Sequence, residues 1–303
     1  MKRRDSASSI PLLARPDLIL TGDWHLREDQ PVCRTDDFWS AQWRKVAEIA
    51  GLAREYDCPV IHAGDLFNVW KPSPFLLSNA ISRLPRNFHT IFGNHDLPQH
   101  SINLYEKSGA HTIITAGMAS IITGGGYWGG KPSCDDSGFD VGGRRVLVWH
   151  VMTYPDKPPW PGCTDPSARD IQDGYNWFDL IVTGHNHQSF AVKNKSGNLL
   201  VNPGAITRQT ADQADFKPCV YLWYAEQNEV APYYLLIEKD VISREHLEHE
   251  AERHARIEAF ISRLSGEYEV AVSFEENLRR WVAANKVSDS VMDIVWAAVE
   301  EEK

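Results

Sequence analysis

Five short apolar runs in this chain each stop at a glycine, an acid or a histidine, and that repeated ending restricts the fold more than any other feature. Leu18-Ile19-Leu20-Thr21 stops at Gly22-Asp23, and Pro59-Val60-Ile61-His62-Ala63 at Gly64-Asp65. Phe88-His89-Thr90-Ile91-Phe92 stops at Gly93-Asn94-His95-Asp96. Val146-Leu147-Val148-Trp149 stops at His150, and Leu180-Ile181-Val182-Thr183 at Gly184-His185. Runs of this length bounded by turn residues predict buried strands. Helical spacing over 38–56 and 75–84 separates the first three, which is a βαβ rhythm and predicts an α/β fold. In open α/β sheets ligands bind beyond the carboxyl ends of strands, so the polar endings are expected on one rim.

Residues 117–143 are rich in glycine and predict a hairpin or loop insertion. The proline-rich stretch 152–170 follows His150 and is expected beside any site built there. Val201-Asn202-Pro203-Gly204 reads as a strand end and turn, and 220–224 and 233–237 as late strands. Helices are expected over 243–264, 274–285 and 288–302, the last capped near Ser288. Val291, Ile294, Val295, Ala298 and Val299 form an apolar stripe on it, with Trp281 and Trp296 nearby. The expected organisation is a flexible leader over 1–15, a catalytic domain over 16–242 and a helical C-terminal extension over 243–303. The apolar patch after the basic start is too short for a signal peptide, and no run reaches the ~20 apolar residues of a membrane span.

Five cysteines without a C-x-x-C pair argue against a disulfide framework and favour a reducing cytoplasm. The net charge of -10 is unlike that of proteins that coat nucleic acid. The segment from Lys239 to Lys303 carries 15 acidic and 9 basic residues, so most of the excess lies there.

Asp23-Trp24-His25 is a weak signal alone, because a turn aspartate needs no ligand. On a strand end, residues i and i+2 point the same way, so Asp23 and His25 can both reach one ion, and His185 and His187 are two imidazoles at the same spacing. Together with Asp65, Asn94 and His150 they make a set of imidazole, carboxylate and amide oxygen. That set suits manganese, iron or zinc, and no cysteine lies near it to make a thiolate site. Trp24, Phe67, Trp70, Tyr154 and Trp160 lie near these residues and either pack or stack a nucleobase, packing being the more common use. Arg208 reads equally as a phosphate contact or a surface arginine. His62, His89, His100 and His111 read as structural, and His246, His249 and His254 as a solvated helix face.

The order Asp-x-His, Gly-Asp, Gly-Asn-His-Asp, His, Gly-His-x-His resembles the calcineurin-like metallophosphoesterase superfamily over residues 18–187, and Asn202-Pro203-Gly204 extends the likeness. The resemblance implies two packed mixed β-sheets flanked by helices. It implies two divalent ions, Mn2+ before Fe2+, Zn2+ or Mg2+. Asp23, His25, Asp65 and His187 would hold one. Asp65 would bridge to a second held by Asn94, His150 and His185. It makes His95 the catalytic histidine that assists without binding metal, with Asp96 as the partner that orients it. A narrower likeness lies in Gly64-Asp65-Leu66-Phe67, Gly93 to Pro98 and Pro203 to Arg208. These resemble SbcD-type DNA repair exonuclease subunits, including bacteriophage relatives, whose DNA-capping region is larger than the tail here. That likeness implies a DNA substrate and an SbcC-type coiled-coil ATPase partner, with a homodimer as a further expectation. A phosphodiesterase or phosphatase for small nucleotides is the alternative, because the metal ligands meet only phosphate.

Overall fold

The computed structural model describes residues 15–132, 138–245, 247, 252–258, 261, 274–285, 287–288, 291–293 and 295–296. The first three apolar runs form β1 (Leu18–Thr21), β2 (Val60–His62) and β3 (Phe88–Thr90), parallel to one another and to the short β4 (Ser120–Ile121). Between them lie α1 (Phe38–Tyr56) and α2 (Pro74–Arg83), with α3 (Gly109–Thr115) preceding β4. The caps follow from sequence. Asp37 accepts from the Ser40 amide, Ser73 accepts from the Leu76 amide ahead of Pro74, and Ser108 accepts from the His111 amide. The later runs form β6 (Arg144–His150) and β7 (Leu180–Gly184), parallel, with α4 (Ala168–Gly174) between them.

Two mixed sheets result. One has six strands in the order β11-β10-β1-β2-β3-β4, in which β10 (Cys219–Tyr224) and β11 (Glu229–Tyr234) are antiparallel additions. The other has five, in the order β5-β6-β7-β9-β8, with β5 (Phe139–Val141) and β8 (Phe190–Lys193) at its edges and β9 (Leu199–Asn202) inside. Alternation along each strand explains the layering. Leu18 and Leu20 share a core with Val146, Val148, Leu180 and Val182 between the sheets. Ile19 points the other way, to a core with Val46, Ile49 and Leu76 of the helices. Leu147 and Ile181 do the same on the far side with Ala168 and Ile171 of α4. These are the packed sheets flanked by helices that the sequence predicts.

One local expectation differs. The last strand of this region runs over Glu229–Tyr234 rather than 233–237. It starts directly after the turn in which the Asn228 amide donates to the Ala225 carbonyl, and it carries Pro232 because β11 is an edge strand. The glycine-rich stretch supplies β4 and β5, and β5 pairs antiparallel with β6 across Gly142-Gly143, which is the hairpin alternative of the sequence reading. The edge strand β8 alternates between partly covered and exposed residues, and its apolar run, Phe190 to Val192, is too short to announce it.

The chain divides into two compact units, Met1–Arg244 and Glu245–Lys303. In the second, α5 (Phe274–Asn285) has half-buried Leu278, Trp281 and Val282, and the Arg279 guanidinium lies over the Trp296 ring at 5.1 Å. The stripe members Ile294, Ala298 and Val299, His246, His249, and leader residues 1–14 lie outside the described residues. Among the described residues no helix is long and apolar enough to cross a membrane, and Cys33, Cys58, Cys163 and Cys219 are free thiols.

Phe88 lies under the rim, 2% exposed, with its ring 5.3 Å from Trp24 and 5.4 Å from His62. Phe88→Ala is expected to lower unfolding free energy by about 3–5 kcal/mol in urea titration, through lost burial and a cavity; a loss under about 1 kcal/mol would show that this layer collapses freely.

Candidate metal centre

The loops after β1, β2, β3, β6 and β7 meet at one edge of the two sheets. Their backbones are not relaxed. Asp23, His25, Asp65 and His185 have φ of 49°, 45°, 59° and 80°, in the left-handed region that L-residues seldom adopt. Each such residue costs of order 1–3 kcal/mol, and such costs gather at functional sites. Two glycines let the loops close in. A Cβ on Gly93 would lie 2.2 Å from the Asp65 Oδ1, and one on Gly184 would lie 2.3 Å from the Ala63 carbonyl oxygen.

Asp65 is the centre of the arrangement, 1% exposed. Its Oδ2 lies 3.6 Å from His25 Nε2 and 3.4 Å from His150 Nε2, while its Oδ1 accepts from the His95 amide at 2.8 Å. On one side of it, Asp23, His25 and His187 bring ligand atoms together, and His25 Nε2 and His187 Nε2 are 3.0 Å apart. On the other, His150 and His185 converge with Asp65, and the Asn94 Oδ1 lies 3.1 Å from His150 Nε2 and 2.9 Å from His185 Nδ1. All seven residues that the sequence predicts as ligands are thus brought to one place, with Asp65 grouped with His150 and His185 and adjoining the other group through His25.

Second contacts set ring orientation. His150 Nδ1 donates to the Ala63 carbonyl at 2.7 Å, which turns Nε2 toward Asp65. Asp23 accepts from the His185 amide with both oxygens, tying the β1 loop to the β7 loop. His95 Nδ1 donates to the Asn68 carbonyl at 2.7 Å, leaving its Nε2 free beside His25, whose ring centroid is 4.6 Å away. His95 also groups with His25 and Asp65 within ligand reach of an ion.

Asp96 differs from expectation. Its carboxylate does not touch His95. It is wholly buried and accepts from the amides of Asp65, Leu66, Phe67 and Gly93 at 2.8 to 3.2 Å. The reason is geometric. The amides of Asp65, Leu66 and Phe67 hold the Asp96 carboxylate under the β2 loop, while the His95 ring turns to the Asn68 carbonyl. The main-chain carbonyl of Asn68 takes the orienting role that the sequence assigns to Asp96.

Sequence reasoning also misses Trp128. It comes from the glycine-rich loop, and its ring lies 4.3 Å from that of His185 at 31°. Among the aromatics predicted near the site, Trp24 and Phe67 are core, whereas Trp70 and Trp160 are exposed. His100 braces Asn94 by donating to its carbonyl at 2.9 Å.

The residues fit divalent ions. Asp23 and Asp65 are buried, and neither is paired with a lysine or arginine among the described residues. Buried carboxylates without such partners are costly unless a cation compensates them. Burial pushes the Asp23 carboxyl up to about 8. Burial also works to raise Asp65, but the imidazoles of His150 and His25 outweigh it and hold that carboxyl below the usual range. Burial lowers His25, takes His185 down to about 4, and lowers His187, so these imidazoles are neutral with open lone pairs. His25 Nδ1 is buried with no hydrogen-bond partner among the described residues.

A cation must displace the protons that Asp23 and His150 retain. Burial opposes the charge on His150, but the Asp65 carboxylate overrides it and raises the imidazole to about 9. Both groups are protonated below their raised values, so ion affinity is expected to rise with pH from 6 to about 9 and to level above it. Calorimetry in buffers of different ionisation enthalpy should register proton release on Mn2+ binding at pH 7. Binding without proton release would contradict this description.

Among solved structures, a novel archaeal phosphodiesterase is similar at 14% identity, covering 72% of this chain and 99% of its own, with a TM-score of 0.43. Vps29 of Entamoeba histolytica, complexed with zinc, is similar at 12% identity, 72% and 92% coverage and a TM-score of 0.35. Vps29 of Cryptosporidium parvum has 16% identity, 73% and 97% coverage and a TM-score of 0.36. No curated protein matches the chain. The sequence profile of the calcineurin-like phosphoesterase superfamily domain matches residues 18–221, more than half of the 303 residues, and the chain belongs to that superfamily.

Proposed function

We propose that this protein is a metal-dependent phosphodiester hydrolase, and within that class a DNA nuclease of the SbcD type. The observation that carries the hydrolase reading is the single carboxylate oxygen of Asp65 lying between His25 and His150. In this reading Asp23, His25, Asp65 and His187 hold one ion, and Asp65, Asn94, His150 and His185 hold the other. When bound, two such ions neutralise phosphate charge and make water acidic enough to yield a nucleophile at neutral pH. The chain's own contribution is orientation. Ala63 fixes the His150 tautomer, and Asn68 fixes that of His95. With Nδ1 committed to Asn68, His95 in its doubly protonated form would present an Nε2–H to stabilise charge on the phosphate or give a proton to the leaving oxygen.

The nuclease reading rests on sequence likeness. Much of that likeness lies in residues that frame the site rather than face solvent, since Leu66, Phe67, Ile206, Thr207 and Arg208 are buried. The exposed rim, with Trp70 and Trp160, is where a nucleobase would rest. The net charge of -10 favours the second reading, a hydrolase of small nucleotides. By the same likeness, Mn2+ is the proposed metal, and the segment 243–303 is proposed to recruit an SbcC-type ATPase or a second copy.

With Mn2+, the protein is expected to hydrolyse a generic aryl phosphodiester and to shorten linear DNA, while leaving cyclic nucleotides intact. Turnover of cyclic nucleotides without DNA cleavage would replace the nuclease reading, and inactivity on every diester would end the hydrolase reading. Asp65→Asn should lose nearly all turnover and about one or more bound ions by metal analysis. His95→Ala should keep its metal and lose roughly 10²–10⁴-fold in kcat. Metal loss on the second change would make His95 a ligand. Removing 243–303 should leave aryl diester turnover in place and abolish binding to an ATPase partner or a second copy; a truncated chain that aggregates would make the segment part of the core.

A further inference from the structure

Arg208, which the sequence leaves open between a phosphate contact and a surface arginine, is neither exposed nor near the metal ligands. It is 6% exposed and lines a separate cavity of about 560 Å3 with Arg34, Lys45, Ala47, Tyr233 and Leu236. None of the proposed metal ligands lines it. Its walls are α1, the turn after β9 and the segment after β11.

The cavity holds more buried positive charge than its carboxylates compensate. Arg34 is spent on Asp36, which it grips with two nitrogens at 2.7 and 2.6 Å. Arg44 at the mouth pairs with Glu238 at 3.1 Å. Lys45, 5% exposed, and Arg208 form no ion pair among the described residues. Their donors meet main-chain carbonyls instead, Lys45 that of Leu236 at 2.5 Å and Arg208 those of Ala214 and Glu238 at 2.8 and 2.6 Å. Glu48 is the remaining carboxylate of the lining, and it accepts from the Leu236 amide at 3.2 Å. Burial pushes the Lys45 ammonium down to about 8, with Glu48 opposing and Arg34 and Arg208 adding to the fall.

Buried cations are ordinarily paired, because carbonyl dipoles offset only part of the lost hydration. Two that are unpaired, close to a third and open to a cavity make a site for an anion. The apolar side of the cavity, from Ala47, Leu236 and Tyr233, gives such an anion an organic part to carry. A dianion answers Lys45 and Arg208 together, and a guanidinium suits phosphate oxygens.

We infer that this cavity is a second ligand site, distinct from the metal centre, that binds a phosphate monoester bearing a flat or apolar group, such as a nucleoside monophosphate. Lys45 and Arg208 take the phosphate, and Tyr233 and Leu236 take the organic part. The inference stands without the proposed hydrolase activity, because no residue of the cavity belongs to the metal centre.

The test is a calorimetric titration of AMP into the full-length, metal-loaded protein, with adenosine and inorganic phosphate as companions. Two variants separate charge from space. Lys45→Met keeps the aliphatic stem and removes the charge. Ala47→Trp fills the cavity from an exposed position of α1 and leaves every cation in place. Wild type is expected to bind AMP here, more tightly than adenosine, and both variants to weaken that binding at least tenfold with unchanged metal content and aryl diester turnover. Should Lys45→Met misfold, Ala47→Trp alone decides. Equal binding of AMP by wild type and Ala47→Trp, equal affinity for adenosine and AMP, or no AMP binding by wild type would each overturn the inference.

Discussion

Everything at the rim depends on one buried carboxylate, that of Asp96. It takes four main-chain amides from two loops, and so fixes the β2 loop against the β3 loop before any metal is considered. Charge-assisted bonds of this kind are about twice as strong as neutral ones. Burial and the neighbouring Asp65 push Asp96 up to about 7, against the pull of those amides. Without that brace Asp65 would have no reason to hold a left-handed backbone. The distances from Asp65 to His25 and His150 would then not be set.

Around this brace the molecule tolerates a local concentration of buried acids and imidazoles that would not be stable in an ordinary core. Neutral rings, main-chain partners for His150 and His95, and the bond from the His185 amide to Asp23 keep each group in place. The anion-seeking cavity beside α1 follows the opposite logic, with cations in excess. Two sites of opposite local charge therefore occupy one unit, and each is built from residues whose burial makes sense only with a counter-charge.

Much of this is legible in the sequence, for reasons tied to particular residues. The strands are visible because Leu18 to Thr21, Val146 to Trp149 and Leu180 to Thr183 are buried on both faces and read as unbroken apolar runs. Their ends are visible because glycine must stand where loops nearly touch, as Gly93 does beside Asp65. What sequence conceals is direction and distance. Nothing in Gly-Asn-His-Asp tells which of His95 and Asp96 faces the rim. Trp128 is silent because its contact with His185 spans a loop whose only signal is glycine. The strand β8 is silent because its apolar residues, Phe190 to Val192, make too short a run to stand out between polar neighbours. Arg208 is ambiguous because burial of an arginine depends on carbonyls supplied by Ala214 and Glu238, and no local pattern encodes them.

The contact between His25 and His187 joins positions 162 residues apart. Contacts of such separation form late, since the loop they close must be ordered before they are rewarded. The metal centre therefore comes into being only when both sheets have folded and docked, and no fragment that lacks either sheet contains it. Any ion held there would bind the native state in preference to the unfolded one, and the stability of the sandwich would rise with the logarithm of its free concentration. In a cell, scarcity of that ion would be felt first as a shorter lifetime of the folded chain.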